Sequence, residues 1–315
     1  MQSEINRGVL GEILDEIKPS SSEKQRIRNV AVIGVGVMGR GIVQTIAQAG
    51  FDVIAVEKDE ESLNLAKEKL EEALDYEIQR WAMTKSEKKS ILSRIDWTTE
   101  IEDVKECELV IEAVDEDFEL KKAIFKKLDQ ICPPHTIFVS NTSTLSLTKI
   151  SEVTKRADKI IGMHFLNPVP KVPLVELVRA LKTSDETFKK VKTFAEQIGK
   201  TVVEVYEYPG FVTTRVILPM LNEAMHVLME GIATAEGIDT AMKLGYNFQM
   251  GPLEMADTMG LDEVLTWMET LYKELGEKYR PCPILRKLVR EGKLGKKTGE
   301  GFFKYDEYGR KIGEK

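Results

Sequence analysis

A chain of 315 residues with 42% hydrophobic and 31% charged side chains can bury two sizeable cores and is too apolar to be disordered. Its 45 lysines and arginines against 52 aspartates and glutamates leave a net charge of −7, so no global field favours nucleic acid or an anionic membrane. Cys107, Cys132 and Cys282 are odd in number and far apart, which predicts reduced thiols rather than a disulfide framework. Cys132 and His135 stand in CPPH with no second Cys/His pair, so no metal site is expected. Without a secretory signal or an apolar run long enough to span a bilayer, the expectation is a soluble cytoplasmic protein with no membrane association.

In residues 1–28, Ile5, Val9, Leu10, Ile13, Leu14 and Ile17 recur at helical spacing, and PSSSEKQR follows. This predicts an N-terminal helical extension and a linker. From Asn29 the chain alternates. NVAVIG is a strand, GRGIVQTIAQAG a helix with a glycine stop, and FDVIAVEK the next strand. A long charged helical stretch is expected from about Glu60 to Lys89. ELVIEAV, TIFVSNTS and KIIGMHF read as buried strands, with helical segments such as FELKKAIFKKLDQI between them, and TVVEVYEYPGF reads as the last strand. Alternation of this kind predicts an α/β fold with a Rossmann-type, parallel, doubly wound sheet over 29–208. After Pro209 the texture changes to VILPMLNEAMHVLMEG, TAEGIDTAMKLG and LDEVLTWMETLYKEL. An all-α C-terminal domain is therefore expected over 209–315.

Gly34-Val35-Gly36-Val37-Met38-Gly39 is a G-x-G-x-x-G turn between the first strand and the first helix. In that context Gly34 permits the turn, Gly36 admits a pyrophosphate, and Gly39 lets helix and strand approach. The N–H groups of Val37 and Met38 open a helix whose positive end suits phosphate. Glu57, at the end of the next strand, can accept from ribose hydroxyls and would repel a 2′-phosphate, so NAD is expected rather than NADP. FAD shares the fingerprint, but the further segments of a flavoprotein are absent.

The segment 140–176 carries SNTSTL, MHFLNPVP and PLVEL, and with them Ser143, His164, Asn167 and Glu176. Oxidation of an alcohol needs a base for the hydroxyl proton while hydride leaves, and imidazole titrates near neutrality. A carboxylate can fix its tautomer and stabilise the cation. Ser143 and Asn167 could direct dipoles at substrate oxygens. A strand, a proline-rich turn and a returning strand would bring His164 to Glu176. Spacing alone leaves open that His164 is a satisfied strand-end polar group and that Glu176 faces solvent.

GVGVMGRGI, VIEAVDED, SNTSTLSL, GMHFLNPVP, LVELV, PGFVTTR, DTAMKLG, MGPLEMAD and GKKTGEGFFKY occur in this order from about Asn29 to Tyr305. Together they resemble the L-3-hydroxyacyl-CoA dehydrogenases of fatty-acid β-oxidation and butanoate metabolism. The resemblance implies an NAD-binding Rossmann domain, a helical domain that forms a homodimer, and an acyl-CoA thioester held between them. It makes His164 the general base (acid in reverse), with Glu176 orienting it and Ser143 and Asn167 meeting substrate and nicotinamide. Glu116, Lys121 and Lys297 fall at cofactor contacts, and Arg80 falls where a basic residue meets the CoA phosphates. The family has asparagine in PGF-x-x-N-R, where this sequence has Thr214, a shorter side chain at a catalytic and substrate position. Two other readings remain at this stage: a dehydrogenase of a free hydroxy acid or of a cyclic or aromatic-derived thioester, and a non-catalytic dinucleotide-binding dimer.

Overall fold

The computed structural model describes residues 27–313. The helix and linker expected over 1–28 lie outside this range except for Ile27 and Arg28.

Eight strands form one sheet in the order β3-β2-β1-β4-β5-β6-β7-β8. They are β1 (Val30–Ile33), β2 (Val53–Val56), β3 (Ile95–Thr98), β4 (Leu109–Glu112), β5 (Ile137–Ser140), β6 (Ile160–Phe165), β7 (Leu174–Arg179) and β8 (Thr201–Tyr206). β1, β4 and β5 are buried along their whole length, the reason they read as unbroken apolar runs. Helices α1 (Val37–Gln48), α2 (Glu60–Gln79), α3 (Lys85–Leu92), α4 (Phe118–Ile131), α5 (Leu147–Ser151) and α6 (Asp185–Gln197) accompany the sheet. One layer of its core joins Val32, Ile42, Leu109 and Phe194, and the opposite layer joins Ile33, Phe125 and Phe138. The sheet matches the Rossmann-type expectation, and at one pair it carries the returning strand that the proline-rich turn suggested: β6 and β7 run antiparallel, while the other pairs are parallel. The connection 166–173 is too short for a crossover helix, so the chain doubles back.

The helical stretch expected over 60–89 consists of two helices, α2 and α3. Trp81 takes a left-handed φ of 59° after α2, and Thr84 opens α3 with a reciprocal capping box to Glu87. The edge strand β3 was not legible in IDWT, in which Ile95 is buried, Asp96 exposed and Trp97 and Thr98 half-buried.

The second half is helical: α7 (Thr213–Met229), α8 (Ala235–Tyr246), α9 (Pro252–Met259), α10 (Leu261–Leu275) and α11 (Pro283–Arg290). α9 and α11 each begin with proline at the first helical position, where the missing N–H costs nothing. Leu218, Leu221, Leu253, Leu261, Met268 and Leu285 fill a core separate from that of the sheet. Among the described residues, no helix is long and apolar enough to cross a membrane. The three cysteines are free and buried, and burial raises the Cys107 thiol to about 12 and the Cys132 thiol to about 11.

Candidate active site

The glycine turn sits at the carboxyl end of β1. Gly34 has a φ of +84°, and a Cβ on Gly39 would lie 1.9 Å from the Gly34 carbonyl oxygen. Both glycines are therefore demanded by the protein itself. Gly36 differs: a Cβ there would meet nothing within 4 Å. It opens α1 with no side-chain cap, so the first N–H groups of the helix face an open approach. This is the surface a pyrophosphate requires. Glu57 directly follows β2 beside it, and its Oε1 accepts from the Val35 N–H at 2.5 Å. The carboxylate expected to read the ribose thus also braces the turn expected to read the phosphates.

Past β4, Glu116 gathers the loop after β5. Its Oε1 accepts from the Thr142 hydroxyl (2.5 Å), the Ser143 N–H (2.9 Å) and the Thr144 N–H (3.0 Å). Lys121 is 1% exposed, with Nζ 2.6 Å from Glu112 Oε1 and 3.5 Å from Glu116 Oε2. Its amine is committed to these carboxylates and the Val114 carbonyl (3.2 Å), so it bears on the loop after β5 through Glu116. Glu112 also accepts from the Ser140 hydroxyl at 2.6 Å and the Val114 N–H at 2.8 Å. Burial pushes the Glu112 carboxyl up, against the pull of Lys121, Ser140 and Val114. The backbone of Ser143 is fixed by this chain of contacts, and its hydroxyl takes no part in it.

The antiparallel turn places His164 and Glu176 as register partners on β6 and β7. His164 Nδ1 lies 2.7 Å from Glu176 Oε2, leaving Nε2 as the nitrogen that can meet a substrate. Both side chains are buried, and the Phe211 ring packs against the imidazole with centroids 5.5 Å apart. Burial alone would raise the Glu176 carboxyl. The imidazole, with the Thr213 N–H and hydroxyl, outweighs it and holds the carboxyl below its usual range. Asn141 Oδ1 accepts from the Phe165 N–H at 3.0 Å and ties the ends of β5 and β6. The strand ends carrying Ser143 and His164 are thereby held together.

Residues 29–208 match the family model described as "3-hydroxyacyl-CoA dehydrogenase, NAD binding domain", and residues 210–305 match that described as "3-hydroxyacyl-CoA dehydrogenase, C-terminal domain". The chain belongs to the 3-hydroxyacyl-CoA dehydrogenase family. A probable 3-hydroxybutyryl-CoA dehydrogenase of Bacillus subtilis (strain 168) is 49% identical over 282 residues, covering 89% of this chain and 98% of the relative. The 3-hydroxybutyryl-CoA dehydrogenase of Clostridioides difficile is 46% identical over 279 residues, covering 88% and 99%. The crystal structure of an (S)-3-hydroxybutyryl-CoA dehydrogenase from Ralstonia eutropha superposes with a TM-score of 0.83 at 44% identity, covering 89% of this chain and all of that one.

Within this dehydrogenase the expected residues are not all in one place. Gly34, Gly36, Val37, Met38, Gly39 and Glu57 line the carboxyl end of the sheet's first half. Glu116, Ser143, His164 and Glu176 lie on or beside the adjoining strand ends. Asn167 is exposed on the connection after β6. Thr214 is buried in the first turn of α7. Arg80 is exposed at the end of α2, its guanidinium 5.5 Å from the centre of the Tyr76 ring. That end of α2 is bridged to the 166–173 connection by Lys171 and Glu77 at 2.8 Å. Lys297 stands apart, paired with Asp262 at 2.7 Å inside the helical half.

Four participants were missed. Glu112, Ser140 and Thr142 flank or lie within motifs already singled out, but nothing local marks a strand-end side chain as buried. Thr213 was passed over for its neighbour Thr214. It is Thr213 that reaches Glu176, and no sequence signal distinguishes the two. Among the described residues, no group of three or more His, Cys, Asp or Glu side chains is placed to hold a metal.

Proposed function

We propose that this chain interconverts L-3-hydroxyacyl-CoA and 3-oxoacyl-CoA, with NAD as hydride carrier and short-chain thioesters among its substrates. The observation that carries the reading is the 2.7 Å contact between His164 Nδ1 and Glu176 Oε2 at the strand ends beside the glycine turn. When bound, NAD supplies a hydride acceptor at C4 of its nicotinamide. His164 Nε2 takes the proton from the 3-hydroxyl as the C3–H bond breaks, and returns it to the 3-oxo oxygen in reverse. Glu176 holds the tautomer and offsets the charge on the imidazolium. Ser143, on a loop held by Glu116, and Asn167 orient the 3-oxygen and the nicotinamide. Arg80 meets the CoA phosphates, and Thr214 borders the substrate. The names of the relatives from Bacillus and Clostridioides support a four-carbon acyl group.

The division near residue 208 and a homodimer formed by the helical half belong to the same reading. Val216 on α7 and Leu244 and Tyr246 on α8 are 68%, 82% and 74% exposed, apolar surface of the kind a second copy would cover. The buried thiols suit a reducing cytoplasm. The deciding experiment is turnover of His164→Gln on 3-hydroxybutanoyl-CoA, read as NADH absorbance, with NADH binding measured by fluorescence. A loss of about a hundredfold or more with binding retained is expected. Retained turnover would sink the assignment.

A further inference from the structure

The carboxylate behind His164 has further partners, supplied by Val212 and Thr213 at the start of α7. Glu176 Oε2, already 2.7 Å from His164 Nδ1, accepts from the Thr213 hydroxyl at 2.9 Å. Glu176 Oε1 accepts from the N–H groups of Thr213 at 2.8 Å and Val212 at 3.2 Å. The start of α7 therefore closes over an acid rooted in the sheet, and one hydroxyl shares the oxygen used by the imidazole.

We propose that Thr213 is a positioning residue that tunes the His164–Glu176 pair, its hydroxyl competing with the imidazole for one carboxylate oxygen. The inference rests on His164 being the base and deepens that reading. A hydroxyl donor stabilises the carboxylate whether or not the imidazole is charged, so it reduces what Glu176 gains from an imidazolium. The two backbone N–H groups fix the direction of the carboxylate, and the hydroxyl sets how strongly it draws the proton.

Other charged groups near the pair are already engaged. Glu207, past the end of β8, is held by Ser146 and Thr148. Glu116 is held by the 142–144 loop and Lys121. Arg215 on α7 stacks on Tyr208, with the guanidinium 4.4 Å from the ring centre. Arg179 and Glu204 pair with each other at 2.6 Å. They occupy register positions of β7 and β8 that alternate with Glu176 and so point to the opposite face.

Removing the hydroxyl at constant shape favours the imidazolium. In the oxidation direction, which needs the neutral ring, the acidic limb of kcat/KM moves to higher pH. In the reduction direction, which needs the charged ring, activity persists to higher pH. For Thr213→Val, kcat/KM for oxidation on the acidic limb is expected to fall about three- to tenfold, with the high-pH plateau much less changed. The same variant is expected to gain relative activity in reduction at alkaline pH, and Thr213→Ser to restore the wild-type limb. Should the valine variant fail to fold, Thr213→Ala supplies a smaller hydroxyl-free side chain for the same two profiles. Superimposable wild-type and hydroxyl-free profiles in both directions overturn the proposal. His164→Gln separates that failure from failure of the functional reading, because loss of its turnover leaves the reading intact whatever Thr213 does.

Discussion

His164 and Glu176 face each other across the antiparallel pair β6–β7, 12 residues apart in sequence and 2.7 Å apart at Nδ1 and Oε2. The return of the chain through the 166–173 connection creates this meeting. In a wholly parallel sheet the next strand would enter from the opposite end, and Glu176 would be carried away from the strand ends where the glycine turn lies.

Thr214 is buried where the family has asparagine, one residue beyond the threonine that holds Glu176. Thr214→Asn is expected to change kcat on 3-hydroxybutanoyl-CoA by less than about tenfold, a barrier change under about 1.4 kcal/mol. NADH absorbance at saturating substrate measures it. A larger change would show that this position reshapes the reacting geometry.

Glu57 accepts from the Val35 N–H of the glycine turn and stands where a carboxylate can meet the ribose hydroxyls in the proposed NAD site. Glu57→Ala is expected to raise KM for NADH about tenfold and to narrow the preference for NADH over NADPH by a similar factor. Steady-state kinetics with both cofactors test this. If the preference is undiminished in the variant, cofactor selectivity resides elsewhere.

Lys121 and Glu112 form a buried pair 2.6 Å apart. Lys121→Met strands a buried carboxylate and is expected to cost about 3–5 kcal/mol in urea unfolding. Adding Glu112→Gln removes the charge while keeping an oxygen for Ser140 and Val114, and should recover much of that loss. If the double variant is no more stable than the single one, the stranded charge is not what the single variant suffers from.

Asp257 lies in the helical half, where it accepts from the N–H groups of Phe302 (2.9 Å) and Phe303 (3.0 Å) and from the Tyr305 hydroxyl (2.9 Å). Burial dominates and raises its carboxyl to about 6, despite those three donors. The native state thus binds a proton here that the unfolded state, titrating near 4, has already released. The associated stability is present at pH below about 4 and is lost as pH rises through about 6. Asp257→Asn cannot titrate and also turns an amide against a donor, so it should be less stable than wild type at pH 4. That margin should narrow by pH 7. Melting temperatures across the range decide it, and a margin that widens towards neutrality contradicts the assignment.

The Rossmann-type alternation, the glycine turn and the helical second half were all legible in the sequence, because each rests on a local rule. Strands buried on both faces become apolar runs, and a helix that opens on phosphate needs glycine at fixed spacing. The exceptions have local causes too weak to read: the capping box at Thr84 splitting one charged helix, and the half-buried edge strand β3.

What the sequence determined by itself was the inventory of the candidate site: an imidazole, a carboxylate, a hydroxyl, an amide and a glycine turn, in an order resembling one family. Tertiary structure decided who touches whom. It joined His164 to Glu176, committed Lys121 to carboxylates beneath Ser143, and sent Lys297 to Asp262. It also chose Thr213 rather than Thr214 to cross from the helical half to the acid. Hydrogen bonds act over about 3 Å, and the positions that set those distances come from strand register and from the seating of α7 on the sheet. No periodicity within either segment encodes that seating.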